Sequence, residues 1–259
     1  MSILEGIILG IVQGITEFMP ISSSGHLILA RELLGLDLTG SISFDVLLHL
    51  STLLVIIYFF WGEIKRLVLD AMSEGLSSRS SKLIYAIILG SIPAVLVGFL
   101  FENKIEEIFR NPTNVAWALL AGSAVFWVAD RLSKDKGGIS STKGFVIGLF
   151  QALALIPGVS RSGITISGGL FSGLSREEAI KFAFLLGIPV IGGAALKTII
   201  DSSGSFESML SLPMVAGFIA AFVSGIFSIK FLVKYLSSHS FNVFIAYRIL
   251  LALAILLFI

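Results

Sequence analysis

The chain has 259 residues, of which 56% are hydrophobic and 14% charged, with a formal net charge of +1 and a mean hydropathy of +0.98. An ordinary soluble domain is about a quarter charged, and this much apolar surface exceeds what one water-soluble core can hide. The near-neutral net charge says nothing about nucleic acid and no basic run suggests it, so no nucleic-acid partner is expected, and the lack of cysteine excludes a disulfide frame, a thiolate nucleophile and a thiolate metal site. The N-terminus has neither a basic n-region nor a small-residue cleavage site, so it reads as mature sequence rather than a signal peptide.

A helix needs about 20 mostly apolar residues to cross the hydrocarbon. The first apolar region, 3–36, is interrupted by MPISSSGH at 19–26. Uninterrupted spans follow at 42–61, 83–101 and 114–131, separated by polar connectors such as 73–82 and 130–143. A second interrupted region, 143–174, carries PGVSRSG at 157–163, and three more spans follow at 178–200, 212–236 and 241–259. Neither half of either interrupted region is long enough to cross alone. Irregular polar backbone at membrane depth survives only inside protein or around a water-filled cavity, so these regions read as two re-entrant hairpins. Two full crossings per region, the competing reading, would strand 22–26 in a surface loop. The expected fold is an all-α polytopic membrane protein, with six transmembrane helices and two re-entrant hairpins in one integral membrane domain.

Sliding the sequence by 138 residues superimposes the two interrupted regions without a gap. Gly6, Gly10 and Gln13 fall on Gly144, Gly148 and Gln151. Ser22, Ser24 and Gly25 fall on Ser160, Ser162 and Gly163, and Gly35-Leu36 on Gly173-Leu174. Thirteen of the 43 pairs from Gly6 to Leu48 are identical, and the Gly, Gln and Ser pairs carry the inference of an internal duplication. The repeats run from about 1 to 137 and from 138 to 259. One hairpin and three crossings per repeat place the second copy upside down, an arrangement that builds binding sites near the midplane between the halves. The loops 62–82 and 131–143 with the nearby helix ends hold twelve Lys and Arg (Lys65, Arg66, Arg79, Lys82, Arg131, Lys134, Lys136, Lys143, Arg176, Lys181, Lys230, Lys234), against four (Arg31, Lys104, Arg110, Lys197) on the other face. The richer face is expected to be cytoplasmic, which places the first hairpin and both termini outside.

Charged groups inside a membrane are costly and mark function by default. Here they are Glu17, His26, Arg161 and Arg248, with Asp45 and His49 close to a span. Gln13 and Glu17, four apart, share a helix face. Ser22-Ser23-Ser24-Gly25-His26 then reads as an N-cap opening the ascending half-helix, and Ser160-Arg161-Ser162-Gly163 as its counterpart. Two half-helix N-termini, hydroxyls and a guanidinium describe an anion site. The copies diverge where chemistry would sit: Glu17 is matched by Leu155, Ser23 by Arg161 and His26 by Ile164. Phosphoryl transfer needs such a set, in which a hydroxyl attacks, an imidazole or carboxylate handles its proton and a cation neutralises charge. The carboxylate with an amide one turn away would also suit Mg²⁺ or Ca²⁺.

QGITEFMPISSSGH (13–26) and PGVSRSG (157–163) with Thr165 resemble the undecaprenyl-diphosphate phosphatases of the bacitracin-resistance family, and the likeness runs over essentially the whole chain. The resemblance implies removal of the terminal phosphate from undecaprenyl diphosphate, which recycles the carrier lipid of cell-wall synthesis. It also implies a divalent cation and a site open to the outer leaflet of the plasma membrane. By position it makes Glu17 and Gln13 metal-binding, Gln13 being the amide variant of an acidic position. Ser23 matches the nucleophile, His26 the motif histidine and Arg161 the diphosphate-binding arginine. Ser22, Ser24, Ser160, Ser162 and Thr165 surround the diphosphate.

Plainer roles compete at several positions. Ser22 is explained by capping alone, His26 could orient Ser23 or bind phosphate, and Asp45 and His49 read as supporting groups near a helix end. Arg248, by snorkelling or pairing with a carboxylate, reads as structural. The expected partners are a polyprenyl diphosphate and the bilayer, with a homodimer left open. The competing function is a secondary transporter or flippase of a polyprenyl phosphate or other anion, which would not need the Ser-Gly-His triplet beside Glu17. A phosphatase with a histidine nucleophile would need a His soon after Arg161, and 164–172 contains none.

Overall fold

The computed structural model describes residues 1–36, 42–73, 78–109, 111–133, 137–201 and 211–258. Lys134, Lys136 and Arg110, counted above for orientation, lie outside the described residues, as does Ile259 at the end of the last span. The elements are all helical: α1 (Ile3–Phe18), α2 (Ser23–Leu33), α3 (Ile42–Phe59), α4 (Trp61–Ser73), α5 (Arg79–Phe109), α6 (Pro112–Leu132), α7 (Ser141–Leu153), α8 (Arg161–Phe171), α9 (Arg176–Asp201), α10 (Leu212–Ser238) and α11 (Asn242–Phe258).

Among the described residues four stretches are long and apolar enough to cross a membrane: Ser80–Phe101, Pro112–Leu132, Arg176–Ile200 and Leu212–Ser238. The apolar α11 has 17 residues. The interrupted regions contain only short helices, 16 residues in α1, 11 in α2, 13 in α7 and 11 in α8, and both break at the Ser/Gly motifs. The sequence suggests a plain connector after residue 61, but 61–73 forms α4, bent by 68° from α3. WGEIKRLVLDAMS is amphipathic, and Leu67 is buried while the flanking Lys65 and Arg66 are not. A helix with that pattern turns to lie along a polar boundary rather than continue through hydrocarbon.

The repeats are interlocked through one interface used twice: α1 packs against α10 of the other repeat, and α7 against α5. Gly6 and Gly10 bring the α1 backbone onto Pro213 and Gly217, where an added Cβ would strike backbone carbonyls. Gly144 and Gly148 do the same against Ala86 and Gly90. Between apolar helices in lipid, association rests on such close backbone packing. Ser228 adds a bond to Ile15 O at 2.7 Å. The contacts pair α5 with α10 at a shift of 127 residues, since Gly10 meets Gly217 where Gly148 meets Gly90. Beyond these crossings α3 packs on α9 and α6 on α11. Both short ascending helices end alike: Gly35 (φ 65°) and Gly173 (φ 75°) turn the chain left-handed, and Leu36 N and Leu174 N donate back to Arg31 O and Gly169 O.

Gly10→Leu and Gly148→Leu should each destabilise the detergent-solubilised protein by about 1–3 kcal/mol or more, as overpacking does. Similar falls in the midpoint of a thermal Trp-fluorescence scan would check that the two crossings are equivalent.

Candidate active site between the two hairpin tips

The hairpin tips are built on two strained serines. Ser22 (φ 74°) and Ser160 (φ 78°) are the only non-glycine residues with positive φ among those described. Each caps the helix that follows, Ser22 Oγ accepting from Gly25 N at 3.4 Å and Ser160 Oγ from Gly163 N at 3.5 Å. Such backbone costs of order 1–3 kcal/mol per residue and persists only where the surroundings over-determine it. Here the tips hold each other. Gly158 N donates to Ser22 Oγ at 3.0 Å, and Ser162 Oγ donates to Met19 O at 3.2 Å. The residue matching Gly158 in the first repeat is Pro20, which has no N–H to return the first bond.

Arg248 fastens both tips from behind. Its guanidinium is fully buried and donates to Pro20 O (3.3 Å), Gly158 O (2.9 Å), Leu119 O (2.9 Å) and Ser123 Oγ (2.9 Å). It neither snorkels nor pairs with a carboxylate, the two structural roles its sequence position suggests. Two of its partners, Pro20 O and Gly158 O, are tip carbonyls outside any helix, and the other two lie on α6.

In front of the tips lies a cavity of about 360 Å³. Glu17 is its centre. Its Oε1 accepts from Arg161 Nη2 at 2.6 Å, and its Oε2 accepts from Ser23 Oγ at 2.7 Å and from Gln13 Nε2 at 3.1 Å. One hairpin therefore contributes carboxylate and hydroxyl, and the other the guanidinium. Arg161 Nη1 is buried without a hydrogen-bond partner, packed against Gly187 of α9. His49 Nε2 stands 3.6 Å from Glu17 Oε2, beyond hydrogen-bond range. His49 Nδ1 donates to Asp45 O at 2.8 Å, which in the neutral ring leaves Nε2 as the bare nitrogen facing Glu17. Asp45 in turn pairs with Arg31.

The walls of the cavity differ between the two repeats. Applying the 138-residue relation to its walls gives Phe184 in place of Val46, Phe60 in place of Thr198 and Phe18 beside the tip. These rings pack together, Phe18 on Phe184 at 5.9 Å and Phe60 on Phe184 at 6.1 Å. The equivalent space is filled.

Glu17, Ser22, Ser23, Ser24, Ser160 and Arg161 all line the cavity. His26, Ser162, Thr165 and Gln13 are not among its lining residues. His26 is held on both nitrogens, by Ser22 O at 2.7 Å and Tyr247 Oη at 2.7 Å, and so braces the strained cap rather than facing Ser23. Ser162 bonds to Met19 O, and Thr165 Oγ1 donates to Arg161 O at 2.7 Å. Gln13 is fully buried beneath Glu17, with Oε1 unpartnered.

Two contributors escape a reading confined to the motifs. His49 supplies the imidazole beside Glu17, and Gly187 on α9 makes room for Arg161, because a Cβ there would collide with Arg161 Nη1. They are repeat partners, 138 residues apart, and form the first pair beyond Leu48/Leu186. Following the alignment one position further would have exposed both.

A divalent cation needs oxygen donors. Among the described residues no three His, Asp or Glu side chains gather as a ready-made cage. What the chain offers is the Glu17 carboxylate and the orphaned Gln13 Oε1. That fits a cation carried largely by phosphate oxygens, the usual manner of Mg²⁺.

Residues 6–254 match the family described as Bacitracin resistance protein BacA. The chain is 42% identical over 255 residues to an undecaprenyl-diphosphatase of Moorella thermoacetica, covering 97% of this chain and 96% of that protein. It is 40% identical over 258 residues to one from Elusimicrobium minutum (99% and 98% covered). It is also 40% identical over 265 residues to one from Alteromonas mediterranea (100% and 99% covered).

Gly187→Ala should displace the Arg161 fork and lower kcat/KM by about 10²–10³-fold, the scale of losing one preorganised donor. Its thermal midpoint should stay near wild type, because the clash can be relieved by swinging a side chain. Parallel kinetics and thermal scans check this.

Proposed function

The chain belongs to the BacA family of bacitracin resistance proteins and is an undecaprenyl-diphosphate phosphatase, and from that premise we propose that the Glu17–Ser23–Arg161 cluster performs the hydrolysis. The observation that carries this assignment is the contact of one carboxylate with both a hydroxyl and a guanidinium from opposite hairpins.

The terminal phosphate enters the cavity against the Arg161 guanidinium, whose Nη2 stays on Glu17. The free N–H groups opening α2 and α8 add positive potential from both sides. Ser23 Oγ attacks the terminal phosphorus, and its proton passes to Glu17 Oε2. The P–O bond to the bridging oxygen breaks and undecaprenyl monophosphate leaves. Water then cleaves the phosphoserine, releasing inorganic phosphate and restoring the hydroxyl. Charge spread over the equatorial oxygens is what Arg161 neutralises, and this supplies most of the catalysis in such transfers. His49 Nε2 is placed to draw the proton from Glu17 and keep it basic for the second step. His26 acts through Ser22 by holding the cap that aims α2.

A divalent cation bound with the substrate would take Glu17 and Gln13 Oε1 as its protein oxygens and would neutralise the phosphates.

The six-plus-two count of crossings and hairpins rests on the four long apolar helices, with α3 and α11 as the remaining crossings. The Lys/Arg bias supports a reading with α4 on the cytoplasmic side and the cavity at the outer leaflet of the plasma membrane. Every residue of the cluster comes from one chain, so the site is complete without a second copy. The alternative, a flippase of polyprenyl phosphate, would need the Phe18–Phe60–Phe184 packing to open as the outer cavity closes. The packed rings and the Ser23–Glu17 bond favour hydrolysis.

Purified protein in detergent should release phosphate from undecaprenyl diphosphate when Mg²⁺ or Ca²⁺ is present. Glu17→Ala and Arg161→Ala should abolish release, and full activity in both would remove this site from consideration. Brief acid quenching with substrate labelled in the terminal phosphate should leave acid-stable label on Ser23; acid-labile label would point to histidine instead. Gln13→Glu should lower the Mg²⁺ concentration giving half-maximal activity, read from a metal titration.

A further inference from the structure

At the end of the bundle away from Glu17 lies a further cavity, of about 510 Å³. The cavity around Glu17 takes Asp45 and His49 from the start of α3 and Thr198 from the end of α9. This one takes Phe59 from the end of α3 and Glu177 and Lys181 from the start of α9. The two cavities therefore stand at opposite ends of the same two helices.

The floor of the second cavity is apolar, built by Phe59 and Phe60 at the α3–α4 bend and by Val233 of α10. Beside it Tyr58 and Phe231 are exposed on the flank of the bundle. Three ammonium groups line the same space, Lys181 of α9 with Lys230 and Lys234 of α10, against the single lining carboxylate of Glu177. Lys181 pairs with Glu63, but Glu63 also serves Arg66, so one carboxylate answers two cations. Lys230 and Lys234 are exposed and make no ion pair among the described residues. Four apart on one helix, they share a face and repel each other.

These lysines do not follow from the shared scaffold. The 138-residue relation matches Lys181 with Ser43, and the 127-residue relation between α10 and α5 matches Lys230 and Lys234 with Asn103 and Glu107. The first repeat has none of the three. Cations gathered over an apolar floor, at the level where α4 turns along the polar boundary, suit an anion that brings an apolar body with it.

We propose that this basic cleft binds the headgroup of an anionic phospholipid, drawn from the leaflet at this end of the bundle. The phosphodiester lies among Lys181, Lys230 and Lys234, and the acyl chains run out over Val233 and the exposed Phe231. A free phosphate would meet the same cations but would leave the apolar floor uncovered. The bound lipid rests on Phe60, whose ring packs on Phe184 at 6.1 Å, and so supports the aromatic packing that fills the second copy of the catalytic cavity.

The test uses full-length protein in detergent, supplied with phosphatidylglycerol or with zwitterionic phosphatidylcholine. Phosphatidylglycerol should raise the thermal midpoint by about 5 °C above the value in phosphatidylcholine, as saturating a specific site does. The double variant Lys230→Gln/Lys234→Gln should lose that difference, whereas Lys230→Arg/Lys234→Arg should keep it. Lys65→Gln, which removes an exposed cation of α4 outside the cleft, should behave as wild type. An undiminished difference in the double Gln variant would overturn the proposal, as would equal midpoints of wild type in the two lipids. Inorganic phosphate without lipid, at matched ionic strength, should leave the midpoint unchanged; the full rise with phosphate alone would make this a free-anion site and overturn the lipid assignment. Native mass spectrometry of the wild-type protein needs no variant to fold. From an equimolar mixture it should show phosphatidylglycerol retained over phosphatidylcholine, and equal retention would also overturn the proposal.

Discussion

A helix broken inside a membrane leaves carbonyls and N–H groups that lipid cannot satisfy, and the rest of this structure depends on how that debt is met. Each unsatisfied group in hydrocarbon costs several kcal/mol. Arg248 meets it on the acceptor side, spending one fully buried guanidinium on carbonyls from both tips and from α6. On the donor side the two strained serines cap the ascending helices, and Gly158 N is taken up by the opposite tip. The candidate site stands on a backbone that is already satisfied behind it. Arg161 and Glu17 then need only each other and the substrate.

The duplication gives that scaffold in two copies, and divergence at a handful of matched positions sets the two apart at the candidate active centre. Ser23 and Arg161 are partners, as are Glu17 and Leu155, and His49 and Gly187. In each pair one member contributes a reacting or apolar surface, and the other contributes its complement or the space for it. Gly187 is informative because its contribution is an absence: the room into which the Arg161 fork extends. The aromatic packing of Phe18, Phe60 and Phe184 is the same process at the other end of the bundle, where the second copy of the cavity is filled. An inverted repeat that stayed symmetric would present equal cavities to both sides. Here the second copy of the cavity is filled by aromatic rings.

Much of this was legible in the residues. Composition and the long apolar runs determine an all-α membrane protein, because a run of about 20 apolar residues crosses lipid as a helix whereas a barrel strand needs only about 10. The Pro and Ser/Gly interruptions mark the broken helices, and the 138-residue repeat predicts that their tips are related. Glu17, Ser23 and Arg161 stand out as charged or hydroxyl groups at those interruptions, and the structure brings them within hydrogen-bond reach. What sequence could not supply is direction. His26 follows the motif at once, yet its position on α2 turns it toward Tyr247 and the cap. His49 lies far along the chain and reaches Glu17 because α3 passes beside the first hairpin. The connector after residue 61 was misread because span length says nothing about an amphipathic helix lying across the end of a bundle.

The sequence by itself therefore determined the solvent this protein lives in, the duplication and the kinds of group that do the chemistry, since all three follow from residue identity and spacing. Only the tertiary structure decided that Arg248 binds both tips, that His49 rather than His26 faces Glu17, and that one of two equivalent cavities is open. Those outcomes depend on where helices from opposite repeats cross. The crossings are set by close backbone contacts at Gly10, Gly148, Gly217 and Gly90, between residues far apart in the chain.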